Sequence, residues 1–400
     1  MGKGHKQGGA DGSESKGESM PRTVARHLKL YVADVSSSEL TAALEPEIID
    51  RISHSTRLPG GFWRLEVGVA SGEADYWQWR EERLLARILL EESGGKVLWE
   101  GRLEDVELVG DLWATRLGFV GYWSNFADSF QTPNYTTTGD VIVKDLRDSI
   151  HADSLQLSTS NDHVEAPGVT ITQDYSGVDW SAWRILTDGR RGVLSFGDSS
   201  DRKMDLAVWD GRKLHYKARN PGAVDWTAYV HEDYGGGVAR LPLSVSWRNL
   251  ANAITVAYTS GGTLTRTSVA TDSTSSGRWI RKEKHVADIG ASDAGTANSR
   301  RDTELALRKD LQPEVDGIAL SNVWDIDGVE WPLCRVRAGD VLRIPDFVPR
   351  TGDAGSVSLD AFRTFVIEET NCDHVAGVLV IRPDREGRSL VDALISAGAL

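Results

Sequence analysis

Short runs in which apolar and polar residues alternate, each closed by a glycine turn, recur along most of this chain and constrain its fold more than any other feature. Phe62–Val69 alternates in this way, and Arg87–Trp99 contains two such runs around a Gly-Gly turn. Leu206–Trp209 and Lys213–Tyr216 flank Asp210-Gly211, which is a strong signal for a β-hairpin. Since a period of two places one face of each strand in a core, the sequence predicts many short strands in small barrels or sandwiches.

Helical patterns are few. Asp179–Leu186 is predicted to be a short helix that is capped by Asp179, and Leu390–Ile395 is predicted to be a short terminal helix. Thr296–Leu311 is rich in Ala, Leu, Arg and Glu and is the strongest helical segment. The predicted fold class is therefore β-rich α+β, with several small β-barrel or sandwich modules and a few short helices.

The chain has 400 residues, which is too long for one ordinary core and suggests two to four domains. Residues 1–20 carry almost no apolar side chains and are predicted to be a disordered tail. The remainder is divided into an N-terminal β-barrel-like domain at 21–135, a mixed α+β middle region at 136–285, and a C-terminal helix plus β-barrel-like domain at 286–400. Strands predicted in this last part are Gly317–Leu320, Cys334–Arg337, Val341–Ile344, Thr364–Glu368 and Val378–Ile381.

Charge and cysteine content limit the partners and the compartment. The net charge of −14 should repel the phosphates of a nucleic acid, and the short basic run at Arg278–Lys284 is more typical of a solvated strand. Two cysteines are too few for a secreted disulfide scaffold, so we expect a reducing compartment. The longest apolar run, Val375–Ile381, is far shorter than a membrane span, and the N-terminus lacks the apolar segment of a signal peptide, so no membrane insertion is expected.

The sequence contains no recognisable catalytic, cofactor-binding or metal-binding constellation. Gly94-Gly95-Lys96 continues into Val97 and is more typical of a hairpin than of a phosphate loop. Cys372-Asp373-His374 offers metal ligands side by side, but a tetrahedral site needs partners from elsewhere in the chain, so a turn before the next strand is the favoured interpretation. The predicted protein is therefore not an enzyme and binds no cofactor, although its many carboxylates leave a glycan hydrolase open.

Fourteen tryptophans are the one unusual total in the composition. Most of them are expected to pack in cores, but Trp77 and Trp79, and likewise Trp180 and Trp183, lie close enough in the sequence to form an aromatic platform. Tryptophan rings stack on sugars and are enriched at protein interfaces. These four residues are therefore the candidates for subunit contacts or for glycan stacking.

Seven short segments carry a resemblance through their order along the chain. They are Leu58–Trp63, Trp99–Val106, Gly121–Trp123, Leu250–Tyr258, Trp331–Leu333, Val336–Asp340 and Leu342–Ile344. Together they resemble the minor tail or baseplate-hub proteins of long-tailed bacteriophages, and the likeness runs from about Thr23 to the C-terminus.

This resemblance implies a structural virion protein, made in the host bacterial cytoplasm and located at the tip of the phage tail. It implies a ring of identical multi-barrel subunits, preferably a trimer, that contacts neighbouring tail proteins and lets genomic DNA pass through its channel. A carbohydrate-binding protein or host-receptor adhesin is the first alternative, and a glycan hydrolase is the second.

Overall fold

The fold is built from β-strands that pair over long distances in the sequence. The computed structural model describes residues 28–33, 42–44, 49–70, 73–83, 87–92, 95–109, 114–154, 156–160, 163–176, 180–189, 191–200, 202–220, 223–231, 236–240, 244–246, 250–287, 293–309, 312–314, 317–346 and 364–384. Strands dominate these ranges and most helices are short, so the predicted β-rich α+β class is confirmed. The predicted tail at 1–20 and the predicted helix Leu390–Ile395 lie outside the described residues.

The N-terminal part is mostly strand, as its alternating pattern predicts. Its elements are β1 (Leu28–Ala33), β2 (Ala42–Leu44), β3 (Ile49–Arg57), β4 (Gly60–Ala70), α1 (Glu73–Glu82), β5 (Arg87–Glu92), β6 (Lys96–Val109) and β7 (Ala114–Gly121). In β4 the alternation buries Leu65, Val67 and Val69 on one face. The predicted hairpin around the Gly-Gly turn is confirmed as β5 and β6.

The middle part mixes helices and short strands. Its elements are α2 (Ser124–Asp128), β8 (Phe130–Gln131), β9 (Asn134–Thr138), α3 (Gly139–Ser154), β10 (His163–Val164), β11 (Thr170–Asp174), β12 (Trp180–Ser181), α4 (Ala182–Thr187), β13 (Met204–Trp209), β14 (Lys213–Ala218), β15 (Trp226–Thr227), β16 (Val238–Arg240), β17 (Ser244–Ser246), β18 (Ala253–Ser260), β19 (Thr263–Arg266), β20 (Ala270–Thr271), α5 (Ser273–Arg278) and β21 (Glu283–Val286). The hairpin predicted around Asp210-Gly211 is confirmed as β13 and β14.

Helix α4 begins later than the sequence predicts. Trp180 and Ser181 pair with β8 and keep the chain extended, so the first helical residue is Ala182. The Ser181 hydroxyl caps the helix by accepting a hydrogen bond from the backbone N–H of Arg184 at 3.2 Å. The predicted cap, Asp179, lies outside the described residues.

The C-terminal part begins with a helix and continues as strands. Its elements are α6 (Ala294–Arg308), β22 (Gln312–Glu314), β23 (Ile318–Leu320), β24 (Val323–Trp324), β25 (Glu330–Trp331), β26 (Val341–Arg343), β27 (Thr364–Asp373) and β28 (Val378–Pro383). Helix α6 starts two residues before the predicted bound because the Asp293 carboxylate caps it, accepting from the backbone N–H of Thr296 at 2.8 Å.

One strand prediction in this part is wrong. Cys334–Arg337 was expected to be a strand, but Leu333–Arg335 forms a 3₁₀ turn. Arg335 donates its backbone N–H to the carbonyl of Pro332 at 3.1 Å, and Val336 donates to Leu333 at 3.2 Å. These local bonds bury Cys334 and Val336 without a strand ladder, so their apolar alternation was misleading.

Strands from both ends of the chain meet in one large sheet. A continuous antiparallel path runs β1, β5, β6, β7, β4, β3, β27, β28, β23, and the step from β3 to β27 joins the first and the last predicted domains. The predicted domain bounds stay a prediction, but the regions that they separate share hydrogen bonds. Each described helix is too short or too polar to cross a bilayer.

Two hydrophobic clusters lie on either side of a narrow junction. The sheet core is formed by the strands of both chain ends, with Leu65, Trp99 and Ile381 among its buried residues. The middle core is formed by residues between Tyr122 and Ala297. The junction is a parallel pairing of β4 with β13, in which Gly61 lies opposite Val208.

Candidate functional site: tryptophans, a charged cleft and a buried His–Cys cluster

The four tryptophans predicted from the sequence lie in different environments. Trp79 on α1 is only 2% exposed and belongs to the sheet core, whereas Trp77 on the same helix is 45% exposed. Trp180 is buried in the middle core against Tyr175, and Trp183 on α4 is half-buried. Their role in interfaces or glycan stacking stays a prediction, and the rings that offer surface for it are Trp77 and Trp183.

A tryptophan cluster that was not predicted joins the two sides of the junction. Trp63 of β4 and Trp123 before α2 stack face to face, with ring centroids 3.9 Å apart and planes 5° apart. Trp183 lies 5.0 Å from Trp123 at a tilt of 51°, and the Arg57 guanidinium lies 5.0 Å from the Trp63 ring. The three indoles are half-buried, so this tryptophan cluster (Trp63, Trp123 and Trp183) presents partly exposed aromatic surface.

A cleft of about 250 Å³ lies between β13 and α6 and is lined by charged residues. They include Lys203, Asp205, Arg219, Arg300, Glu304 and Arg308. The Arg219 Nε donates to both carboxylate oxygens of Asp205, at 3.0 and 2.9 Å, and Arg219 also pairs with Asp384. Buried ion pairs therefore form part of the cleft wall, beside apolar residues such as Leu58 and Leu206.

Glu304 is the centre of a second ion-pair network in this charged cleft. It accepts from Arg300 Nη2 at 2.5 Å, and from Lys284 Nζ and Arg308 Nε at 2.7 Å each. Burial by itself would raise the pKa of the Glu304 carboxyl, but the three cations outweigh burial and lower that pKa to about 2. A carboxylate held ionised in this way suits an ion pair, not acid–base chemistry near neutral pH.

Another polar group is buried inside the sheet core. His54 of β3 lies directly opposite Cys372 of β27, and His374 follows two residues later. Burial lowers the pKa of His54 well below its ordinary value, lowers that of His374 to about 4, and raises that of Cys372 well above its ordinary value. At neutral pH this His–Cys cluster is therefore uncharged.

The sequence predicts a turn at Cys372-Asp373-His374, because a tetrahedral metal site there would need a further ligand from elsewhere in the chain. The structure contains the turn, because β27 ends at Asp373 and a turn follows through Gly377. It also supplies the missing partner, since His54 approaches from a strand more than 300 positions away. The alternation Ile52, His54, Thr56 could have placed His54 on the buried face, but no local signal identifies β27 as its neighbour.

No family model and no curated protein matches the sequence, whereas solved structures match nearly all of it. A tail protein from Neisseria meningitidis MC58 superposes with a TM-score of 0.56 at 12% identity, covering 92% of this chain and 99% of that one. The 43 kDa tail protein of prophage MuSo2 from Shewanella oneidensis gives 0.55 at 13% identity, covering 91% and 99%. Prophage tail protein gp18 from Listeria monocytogenes EGD-e gives 0.54 at 13% identity, covering 93% and 98%.

The chain has the fold of these phage tail proteins. Each comparison extends over almost the full length of both chains, so the shared feature is the whole arrangement and not one barrel. The fold expected from the seven ordered segments is thereby confirmed. Two of those segments, Leu58–Trp63 and Gly121–Trp123, supply two rings of the tryptophan cluster.

Proposed function

We propose that this protein is a structural component of a bacteriophage tail tip, a hub or minor tail protein located in the virion tail. The observation that carries this proposal is the fold shared with three phage tail proteins along at least 98% of each of those chains. In this role the chain is made in the host cytoplasm, assembles with neighbouring tail proteins, and catalyses no reaction.

The proposed assembly is a closed ring of identical subunits around the tail axis, with three-fold order preferred from the family resemblance. A ring closes when each subunit presents two different complementary faces whose rotation closes. The net charge of −14 supports passage of genomic DNA through the channel, because an acidic wall does not retain the phosphate backbone.

Microscopy of particles that contain this protein tests the proposal directly. Cryo-electron microscopy, with an antibody against the chain marking its position, should place it on the tail axis at the tip as a closed ring. Particles are a fairer sample than dilute protein, because small modules offer limited contact area until the neighbouring tail ring is present. Isolated copies projecting radially from the tail would contradict the hub proposal.

The non-catalytic role has its own test. Incubation of the full chain with peptidoglycan, soluble glycans and nucleotides should yield no products. The paired state of Glu304 and Asp205 in the cleft, and of Asp384 beside Arg219, supports this expectation, since each of these carboxylates is engaged by an arginine or a lysine. Turnover that disappears on a single Asp or Glu substitution would overturn it.

A second candidate function is a host-receptor adhesin, and the half-buried tryptophan cluster favours it. Clustered indoles with partly exposed surface resemble the aromatic surfaces that bind sugar rings. Under this alternative, a glycan array should show binding that Trp183→Ala abolishes. Trp279→Ala removes a half-buried tryptophan that belongs neither to the cluster nor to the four predicted candidates and is the matched control, which should leave any glycan binding unchanged.

A further inference from the structure

Three potential metal ligands converge inside the sheet core, away from the charged cleft and the tryptophan cluster. His54, Cys372 and His374 each offer one donor atom, and these atoms all lie within 4.8 Å of one another. The side chains are 2%, 3% and 3% exposed. His54 belongs to β3 and Cys372 to the end of β27, two hydrogen-bonded strands whose ladder fixes the separation of these two residues, and His374 begins the turn that follows β27.

The surroundings make this polar group unusual. In the strand register, His54 also lies opposite Leu65 and Cys372 also lies opposite Leu379, and both leucines are fully buried. His54 Nδ1 lies 2.7 Å from His374 Nε2, so one hydrogen bond links the two rings. The other ring nitrogen of His374, Nδ1, is buried and has no hydrogen-bond partner among the described residues. A buried polar atom without a partner is costly, and apolar side chains would fill these positions at lower cost.

We propose that His54, Cys372 and His374 form a binding site for one zinc-class transition-metal ion. Imidazole nitrogen and thiolate sulfur are the donors that Zn²⁺ prefers, and oxygen-seeking ions such as Mg²⁺ or Ca²⁺ would not select them. Three protein donors leave a tetrahedral ion one further position for water or another group.

Binding changes the protonation of the site in a defined way. The Cys372 thiol loses its proton to solvent as the sulfur–metal bond forms, and each imidazole binds through a nitrogen that carries no proton. Two nitrogen ligands of a tetrahedral zinc ion lie about 3.3 Å apart, so the 2.7 Å His54–His374 separation opens by about 0.6 Å and the hydrogen bond is replaced.

The site lies beside an exposed turn. His374 is the first residue of the turn between β27 and β28, and the next two residues, Val375 and Ala376, are exposed. The backbone N–H of His374 donates to the carbonyl of Ile52 at 3.1 Å, so the turn is attached to β3. His374 is therefore adjacent in the chain to solvent-exposed residues.

The test uses the purified full chain after chelator treatment. One equivalent of Zn²⁺ should remain bound after desalting, as measured by elemental analysis, and should raise the melting temperature. Co²⁺ in place of Zn²⁺ should produce the near-ultraviolet charge-transfer band of a cobalt–thiolate bond. A chain that retains no zinc, or that binds cobalt without this band, overturns the proposal.

Variants locate the site. Cys372→Ser should remove the cobalt–thiolate band and weaken zinc binding by more than about tenfold. Cys334→Ser is the matched control, because Cys334 is also a free, buried cysteine of the sheet core but lies outside the three-ligand group. It should keep both the band and the affinity, and equal losses in the two variants would contradict the assignment. His374→Gln, next to the exposed turn, supplies a second ligand variant if Cys372→Ser does not fold, and unchanged zinc affinity in it would also overturn the site.

Discussion

On β3 and β27 of the sheet core the buried polar side chains are neutral and bond to one another, whereas those around the charged cleft beside the middle core include several charges held in ion pairs. Thr56 and Thr370 face each other across β3 and β27, with their hydroxyl oxygens 2.6 Å apart. Around the charged cleft, Glu304 instead lies among three cations. A buried neutral group needs only a hydrogen-bond partner, whereas a buried charge also needs an opposite charge close to it.

The backbones of the two regions approach closely at the junction. A Cβ built on Gly61 would lie 2.3 Å from the carbonyl oxygen and 2.7 Å from the backbone nitrogen of Val208. Gly61 also has a φ of +92°, a conformation that favours glycine. The junction between the sheet core and the middle core therefore depends on the absence of a side chain at this position.

The largest effect is expected from Gly61→Ala, which breaks the junction. Backbone strain and overpacking against backbone atoms that cannot move aside should together lower the free energy of unfolding by about 5 kcal/mol. Gly95→Ala is the matched control, because Gly95 has a φ of +80° but nothing within 4 Å of the added Cβ, and should lose only about 1–2 kcal/mol. Urea unfolding of both variants measures the difference, and equal losses would show that the close approach is unimportant.

Glu304→Gln tests the charged side of the comparison. The variant leaves three cations around a neutral amide, and breaking a buried ion pair on one side should cost about 4 kcal/mol. Glu283→Gln is the control, since Glu283 pairs with Arg281 on the surface and should change stability by less than about 1 kcal/mol. Chemical unfolding followed by tryptophan fluorescence checks both, and a small loss at Glu304 would mean that solvent relieves the network.

The same carboxylate predicts how stability depends on acidity. The pKa of Glu304 is about 2 in the folded chain against an ordinary value of 4.5, so below pH 4.5 the unfolded chain takes up a proton that the folded chain does not. Stability present above pH 5 should therefore fall as the pH decreases from about 5 to 2, by on the order of 3 kcal/mol from this group. Unfolding measured across this range should show a shallower decline for Glu304→Gln, and parallel curves would rule out a dominant role for Glu304.

Local patterns predicted the strands well because apolar and polar residues alternate with a period of two along a half-buried strand. The hairpin at Asp210-Gly211 and the alternating strand at Phe62–Val69 required no distant information. Helix α3 was missed although Ile142, Leu146 and Ile150 recur at helical spacing and are buried, so that signal was present.

Pairings between distant strands could not be predicted in the same way. Helix α1 could not be predicted from periodicity either, because it lacks an apolar stripe and is attached to the sheet core through Trp79. Which strand lies beside β3 depends on the packing of the whole sheet, and this pairing alone brings His54 to Cys372. Membership of the candidate sites therefore required the structure, even where the residue types were visible.

The smallest effect is expected from removing the neutral hydroxyl of Thr56, which bonds to Thr370 in the sheet core. Thr56→Val keeps the shape of the side chain but leaves the backbone N–H of Ala338, which donates to the Thr56 hydroxyl at 2.7 Å, without its acceptor. The loss should be about 2 kcal/mol, half of that expected for Glu304→Gln, because no charge is uncovered. Thr370→Val on the same background should cost less than it does alone, since the bond between the two hydroxyls is already gone. Ser55→Ala on the opposite face of β3 is the control at about 0.5 kcal/mol. Urea unfolding of these variants gives each loss in stability, and the double-mutant cycle gives the coupling between Thr56 and Thr370. If the loss for Thr56→Val equalled that for Glu304→Gln, neutral and charged burial would be equally demanding and the contrast between the two regions would fail.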